Sequence, residues 1–192
     1  MSSYPLDPRR RFVRGTRGGK IRQATTVWYE HTPAAGAVAA ILSATPLADG
    51  APTVVTKSLT QPDVPRVLTV KGNAASLVGP VTIQGLDANH LAISETLTLD
   101  GTTVVVGTQA FSRIHRITLP PRAASTNTVS VGTGSALGLW HTLHADVRLV
   151  TTLDGAPDAG TLSMHAEDVA RNLFTPAGVL TGTKILRIIY LV

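Results

Sequence analysis

Six histidines, many serines and threonines, and seven cations crowded into the first 22 residues are the side chains whose types could do chemistry. His141 and His144, flanked by Trp140 and Asp146, come nearest to a metal-ligand spacing. A zinc protease signature needs two histidines at i and i+4 on a helix with a glutamate between them. Here the spacing is i, i+3 in a stretch that reads as strand or loop, and on a strand the two rings point to opposite faces. Both are therefore expected to be ordinary surface or interface histidines, and no metal is expected. His115, between Arg113 and Arg116, and His165, near Glu167 and Asp168, have no clustered partners in the sequence.

Nucleophilic and acid–base chemistry fare no better. No Gly-x-Ser-x-Gly elbow occurs, and Ser135 in Gly132-Thr133-Gly134-Ser135 leads into no helix. That glycine-rich run also lacks the lysine of a phosphate-binding loop, so it is predicted to be a turn. Glu167 and Asp168 are adjacent, and nothing in the spacing sets two carboxylates across a cleft. The expectation is a protein without catalysis and without a cofactor.

The basic arm carries the positive functional signal. Residues 1–22 hold Arg9, Arg10, Arg11, Arg14, Arg17, Lys20 and Arg22 against Asp7, a charge of +6. The rest of the chain sets ten Lys and Arg against eleven Asp and Glu, a charge of −1. The pI near 10.1 thus describes an arm and not a body. Seven cations could neutralise phosphates in a salt-dependent, sequence-blind way. Tyr4 and Phe12 are the arm's only aromatics, so base stacking is poorly supplied. The near-neutral body favours the other use, a tether in which these cations and Phe12 embrace an acidic surface on a neighbouring subunit and gain avidity by wrapping.

Arg9-Arg10-Arg11-Phe12-Val13-Arg14 superficially matches a twin-arginine export signal, but the next apolar run starts only near Ala34, beyond Lys20, Arg22 and Glu30. That run, Ala34 to Leu47, is too short and too proline-broken for a membrane span. A soluble, unprocessed chain with no membrane partner is expected.

The elements that must carry these residues read as strands. Aromatics are 4% and charged residues 15%, so burial must come from Val, Leu, Ile and Ala, while abundant Thr, Val and Gly favour β structure with many turns. With no cysteine, disulfides and thiolate metal sites are excluded. Strands are predicted at Ala24–His31, Thr53–Leu59, Arg66–Lys71, Val81–Leu86, Leu91–Leu99, Thr102–Gly107, Ile114–Leu119, Thr128–Val131, His144–Val150 and Lys184–Val192. The last is too apolar for an edge left in water, so it is expected at a sheet centre or in an interface. Ala34–Ala44 fits either a short helix or an extended crossing, and Ser163–Asn172 could form a helix. The run Val67–Leu119 holds the clearest alternation, with Leu91, Ile93, Leu97 and Leu99 on one parity and Ser94, Thr96 and Thr98 on the other. Asp100-Gly101 predicts a type I′ hairpin in which Leu97 faces Val104 and Leu99 faces Thr102. A slip of parity after Phe111 predicts a bulge near Arg113–Arg116.

Gln61-Pro62-Asp63-Val64-Pro65-Arg66, Leu68-Thr69-Val70 and Val81-Thr82-Ile83-Gln84-Gly85 form one half of a further pattern. Asp87-Ala88-Asn89, Ile93-Ser94-Glu95-Thr96-Leu97, Asp100-Gly101-Thr102 and Gly107-Thr108-Gln109-Ala110-Phe111 complete it. Together they resemble a group of tailed-bacteriophage virion proteins built on a small β-sandwich. The likeness covers roughly Pro62 to Gly132, with a weaker echo in the strand ending at Tyr190 and none in residues 1–50. The resembling chains usually carry glycine after the Asn of the turn at Asp87–Asn89, whereas His90 stands here, so this turn must accommodate a side chain.

The resemblance implies structural work in a head, neck or tail, with no residue roles attached. The expected fold is all-β, an antiparallel β-sandwich of jelly-roll or Ig-like type with an extended basic N-terminal arm. Residues 1–22 form the arm, 23–52 a peripheral strand and Ala-rich segment, and 53–192 the sandwich body. The expected function is that of a head decoration or cement protein, assembled in the host cytoplasm into the virion as a homo-oligomer. Its partners would be other virion subunits, the major capsid protein or neck and tail proteins. A neck, collar or tail protein is the alternative within that class, and a nucleic-acid-binding protein using the arm is the alternative from another.

Overall fold

The computed structural model describes residues 10–13, 22–146 and 148–192. Much of the expected arm, including Arg9, Arg14, Arg17 and Lys20, lies outside the described residues. In chain order the strands are β1 (Arg10–Val13), β2 (Arg22–His31), β3 (Leu42–Pro46), β4 (Thr53–Val55) and β5 (Arg66–Gly72). They continue with β6 (Val78–Leu86), β7 (Ala92–Asp100), β8 (Val105–Phe111), β9 (Arg113–Leu119) and β10 (Thr128–Gly138). The last five are β11 (Arg148–Leu153), β12 (Ala156–Pro157), β13 (Thr161–Ser163), β14 (Leu173–Thr175) and β15 (Leu186–Leu191). The fold is all-β, as the composition predicts.

Three antiparallel sheets result, ordered β4-β9-β6-β7, β13-β14-β10-β5-β8 with β3 also on β10, and β1-β2-β15-β11-β12. The first two stack as a sandwich. Val81, Ile83, Leu97, Leu99, Ile117 and Leu119 from one sheet meet Leu68, Val70, Phe111, Val129 and Val131 from the other in a single buried cluster. This is the packing that period-2 alternation demands, since each apolar face needs a second sheet to cover it. The third sheet closes a second core against the far end of β10 and β14, where Tyr29, Leu137, Phe174, Leu186, Ile188 and Tyr190 are buried together. β15 lies at the centre of its sheet, between β2 and β11, as its apolar sequence predicts. The segment 23–52, expected beside the body, supplies β2 to that sheet, and its Tyr29 is fully buried.

The Asp100-Gly101 hairpin is not formed as predicted. Asp100 and Thr103 make one isolated bridge, with the Thr103 N–H donating to the Asp100 carbonyl at 2.9 Å, and Gly101 alone of the central pair has positive φ (+56°). Leu97 instead pairs with Val81, while β8 crosses to β5 in the opposite sheet. The crossing brings Phe111 over the apolar face of the first sheet, whereas a hairpin would only have widened that sheet. The type I′ pattern occurs at the other Asp-Gly between strands, where Asp154 (φ +54°) and Gly155 (φ +81°) join β11 to β12.

Two more expectations are corrected. Gly132-Thr133-Gly134-Ser135 is not a turn but the middle of β10. A Cβ on Gly132 would lie 2.0 Å from the Ala37 carbonyl oxygen, because the Ala34–Ala44 segment crosses directly over this strand. That segment is a non-helical crossing, held by the Thr133 N–H donating to Ala37 O at 2.9 Å and the Ile41 N–H donating to Val131 O at 3.0 Å. Ser163–Asn172 forms no α-helix, only a 3-10 turn at Val169–Arg171 whose Ala170 N–H is capped by Asp168. Asn172 prevents more. Fully buried, its side chain accepts from the N–H groups of Leu143 and His165 and donates to the carbonyls of His165 and Asp168, contacts that an ordinary helical position could not supply.

Candidate interaction surfaces

The polar residues of the resemblance segments have structural work. The Gln61 side chain accepts from the Ile114 N–H at 2.7 Å and donates to the Ile114 carbonyl at 3.1 Å, completing the edge of β9 beyond β4. Asp63 accepts from the Ala34 N–H at 2.7 Å and pairs with Arg66 at 2.8 Å, and the Arg66 guanidinium, 1% exposed, also donates to the Ala34 carbonyl. Glu95 is buried between the sheets, accepting from both the N–H and the hydroxyl of Thr108. Gly107 makes room for that carboxylate, since a Cβ there would lie 2.4 Å from Glu95 Oε2. Asp87 holds its turn through N–H bonds from Asn89 and Leu91, both 2.8 Å, and His90 adopts φ +61°. His90 thus occupies a left-handed position, the kind at which glycine is favoured.

The histidines fall in different settings. His141 and His144 lie in the loop before β11, and the strand begins at Arg148 and not at His144. His141 Nδ1 is 3.1 Å from the Tyr190 hydroxyl. His31 packs edge-on against Tyr29 and Trp140, with ring centroids 4.6 and 5.7 Å apart. Burial holds both His31 and His141 below the usual histidine range, and the Asp63 carboxylate partly opposes this at His31. Burial also pushes the Tyr29 phenol up, against the pull of the Arg66 charge, and pushes Tyr190 up to about 12. Tyr29 OH, His31 Nε2 and Arg66 Nε are buried with no hydrogen-bond partner. This group is a polar, aromatic core feature that the sequence does not announce, because its members lie on β2, β5, β15 and the loop at Trp140. Among the described residues no set of three or more His, Asp or Glu is placed to hold an ion.

The remaining candidate is the outward face of the four-stranded sheet. The bulge predicted near Arg113–Arg116 is present. Gln84 pairs with Arg116 and Gly85 with Ile114, which leaves His115 as the extra residue. A Cβ on Gly85 would lie 2.0 Å from the Arg113 carbonyl oxygen, so glycine admits the bulged strand. As a result His115 and Arg116 are both exposed although adjacent. Compared with family models, with curated proteins and with solved structures, the chain matches none. Of the arm, Arg10, Arg11 and Phe12 lie on β1 and Arg22 opens β2, with Arg10 opposite Thr25 and Val13 opposite Arg22.

Proposed function

We propose that this protein is a structural component of a tailed-phage virion, a head decoration protein working as a homo-oligomer without catalysis. The observation that carries the reading is where the resemblance segments fall. Gln61, Asp63, Asp87, Glu95 and Gly107-Thr108, scattered over 48 residues of sequence, are the residues that clamp, turn and lock one two-sheet body. Sequence likeness spent on the scaffold fits a subunit whose task is to be rigid and to be held in place. The basic N-terminal segment, seven cations within residues 1–22, is the tether in this reading.

The test is biochemical. Particles of the source virus, separated on a stained gel, are expected to show this chain at hundreds of copies. About a dozen or fewer would move it to the neck or tail. Deleting residues 2–22 should abolish addition to undecorated particles, and retained addition would remove the tether from the reading. The arm's charge also favours nucleic acid as a second reading, and filter binding to duplex DNA over a salt series decides it. No retention at low salt excludes that alternative.

A further inference from the structure

The geometry points to a second attachment site, a groove on the outer face of the four-stranded sheet that receives a carboxylate side chain from an acidic protein segment. The groove encloses about 480 Å³ and is lined by Gln84, Leu86, Ile93, Ser94, His115 and Arg116, among others. Its walls come from three adjacent strands, with Ser94 opposite Gln84 and Gln84 opposite Arg116. The bulge is what makes it a site, because it turns two neighbouring residues, His115 and Arg116, to the same side where a regular strand would present one.

Charge fixes the sign of the occupant. Among the described residues, Arg113, His115 and Arg116 have no ion-pair or side-chain hydrogen-bond partner, whereas Arg66, Arg122, Arg148, Arg171 and Arg187 are each paired with a carboxylate. Among the described residues the face offers no carboxylate nearby. Thr82, Gln84, Ser94, Thr96 and Thr118 flank the cations, Glu95 points inward, and Asp87 is buried on its own turn. Asp100 lies six residues from Ser94 along β7, about 20 Å away. A forked guanidinium, a ring nitrogen, a carboxamide and a hydroxyl around a carboxylate make charge-assisted bonds, and Leu86 covers the methylenes of its stem. The lining holds no Phe, Tyr or Trp to give a base or a sugar ring a broad stacking platform, which favours an acidic peptide over a polynucleotide or an acidic polysaccharide.

No described arm residue lines the site, and its test must keep the arm present. The full-length, isotope-labelled chain is titrated with an end-blocked hexaglutamate peptide and followed residue by residue in proton–nitrogen NMR spectra. The expected result is a saturable shift at Ser94, His115, Arg116 and the Gln84 side-chain amide, weakened at least fivefold in Arg116→Gln. Ser94→Glu, which seats a carboxylate in the groove permanently, should abolish it, and both variants change exposed residues and should retain the dispersed spectrum of the parent. Shifts confined to residues 9–22 would overturn the site. A tighter response at the groove to oligogalacturonate or to oligothymidylate than to hexaglutamate would overturn the assignment to protein.

Discussion

Around Phe111 the molecule buries aliphatic side chains from two facing sheets, with one carboxylate, Glu95, whose Oε1 is bonded to Thr108 and whose Oε2 has no partner. Around Tyr190 it buries two tyrosines, a guanidinium and parts of two histidines, and three of their polar atoms have no partner. The first arrangement is held mainly by removal of apolar surface. The second adds polar groups whose burial is unfavourable unless paired, so its stability depends on hydrogen bonds and on protonation. The comparison separates a scaffold from a region that solution conditions can loosen.

The largest effect should come from emptying each core in turn. Phe111 and Phe174 are both fully buried, one in each. Phe111→Ala should lower unfolding free energy by about 3–5 kcal/mol, read from denaturant titration. Phe174→Ala should match it if the second core packs as tightly. A loss at Phe174 below about half that at Phe111 would show that the second core collapses around the cavity. Two hydroxyls sharpen the contrast at smaller scale. Tyr190→Phe removes an oxygen within 3.1 Å of His141 Nδ1 and should cost about 1–2 kcal/mol. Tyr29→Phe removes a buried hydroxyl without a partner and should be neutral or stabilising by up to about 1 kcal/mol. Equal losses at the two would mean that Tyr29 OH is satisfied in solution.

The two cores also differ in how far they could be read in advance. Strands β6, β7 and β9 show in the sequence because one face of each is covered and the other is wet, which writes alternation into the chain. The central place of β15 shows for another reason, a run that is apolar at every position but Arg187. What the sequence conceals is pairing at a distance. Asp100-Gly101 and Asp154-Gly155 carry the same dipeptide, yet one turns the chain to another sheet and the other closes a hairpin, because a turn dictates local φ and the core decides which strand is met. The glycines of β10 look like a turn until the segment at Ala37 is laid across them. The groove of Gln84, Ser94, His115 and Arg116 needs three strands in register, and its one local trace is the parity slip that marks the bulge.

A pH titration separates the cores without mutation. The folded-state pKa values of His31 and His141 are lowered by burial, so the unfolded chain takes up protons first. Their contribution is fully present above the ordinary histidine value, near 6.5, and is lost as pH falls from there through the lower folded values. Asp63 faces His31 and moderates the loss. Below about pH 4 a second loss follows. It comes from Asp146, held low by the Arg148 guanidinium, and from Asp158, where three backbone N–H groups outweigh the opposing effect of burial. The chain's two tryptophans, Trp28 and Trp140, both lie on the second-core side, and the Trp140 ring touches Tyr29 and His31. Trp emission should therefore change as pH falls below about 6.5 while the far-ultraviolet β signal holds until the carboxylates titrate. Coincident transitions would show that the two cores respond as one.

The smallest effect tests the scaffold at its one strained turn in the resemblance region. His90 sits at φ +61° between Asp87 and Leu91, a conformation in which a Cβ crowds the backbone at about 1–2 kcal/mol relative to glycine. Glycine relieves that strain but adds freedom to the unfolded chain, which takes back part of the gain. His90→Gly should thus raise stability by about 0.5–1 kcal/mol, measured as a higher denaturant midpoint at unchanged slope. Since the Asp87 Oδ1 bonds go to the N–H groups of Asn89 and Leu91, the substitution leaves them intact. A loss of stability would mean that the His90 ring, and not the turn, is what this position supplies to the body.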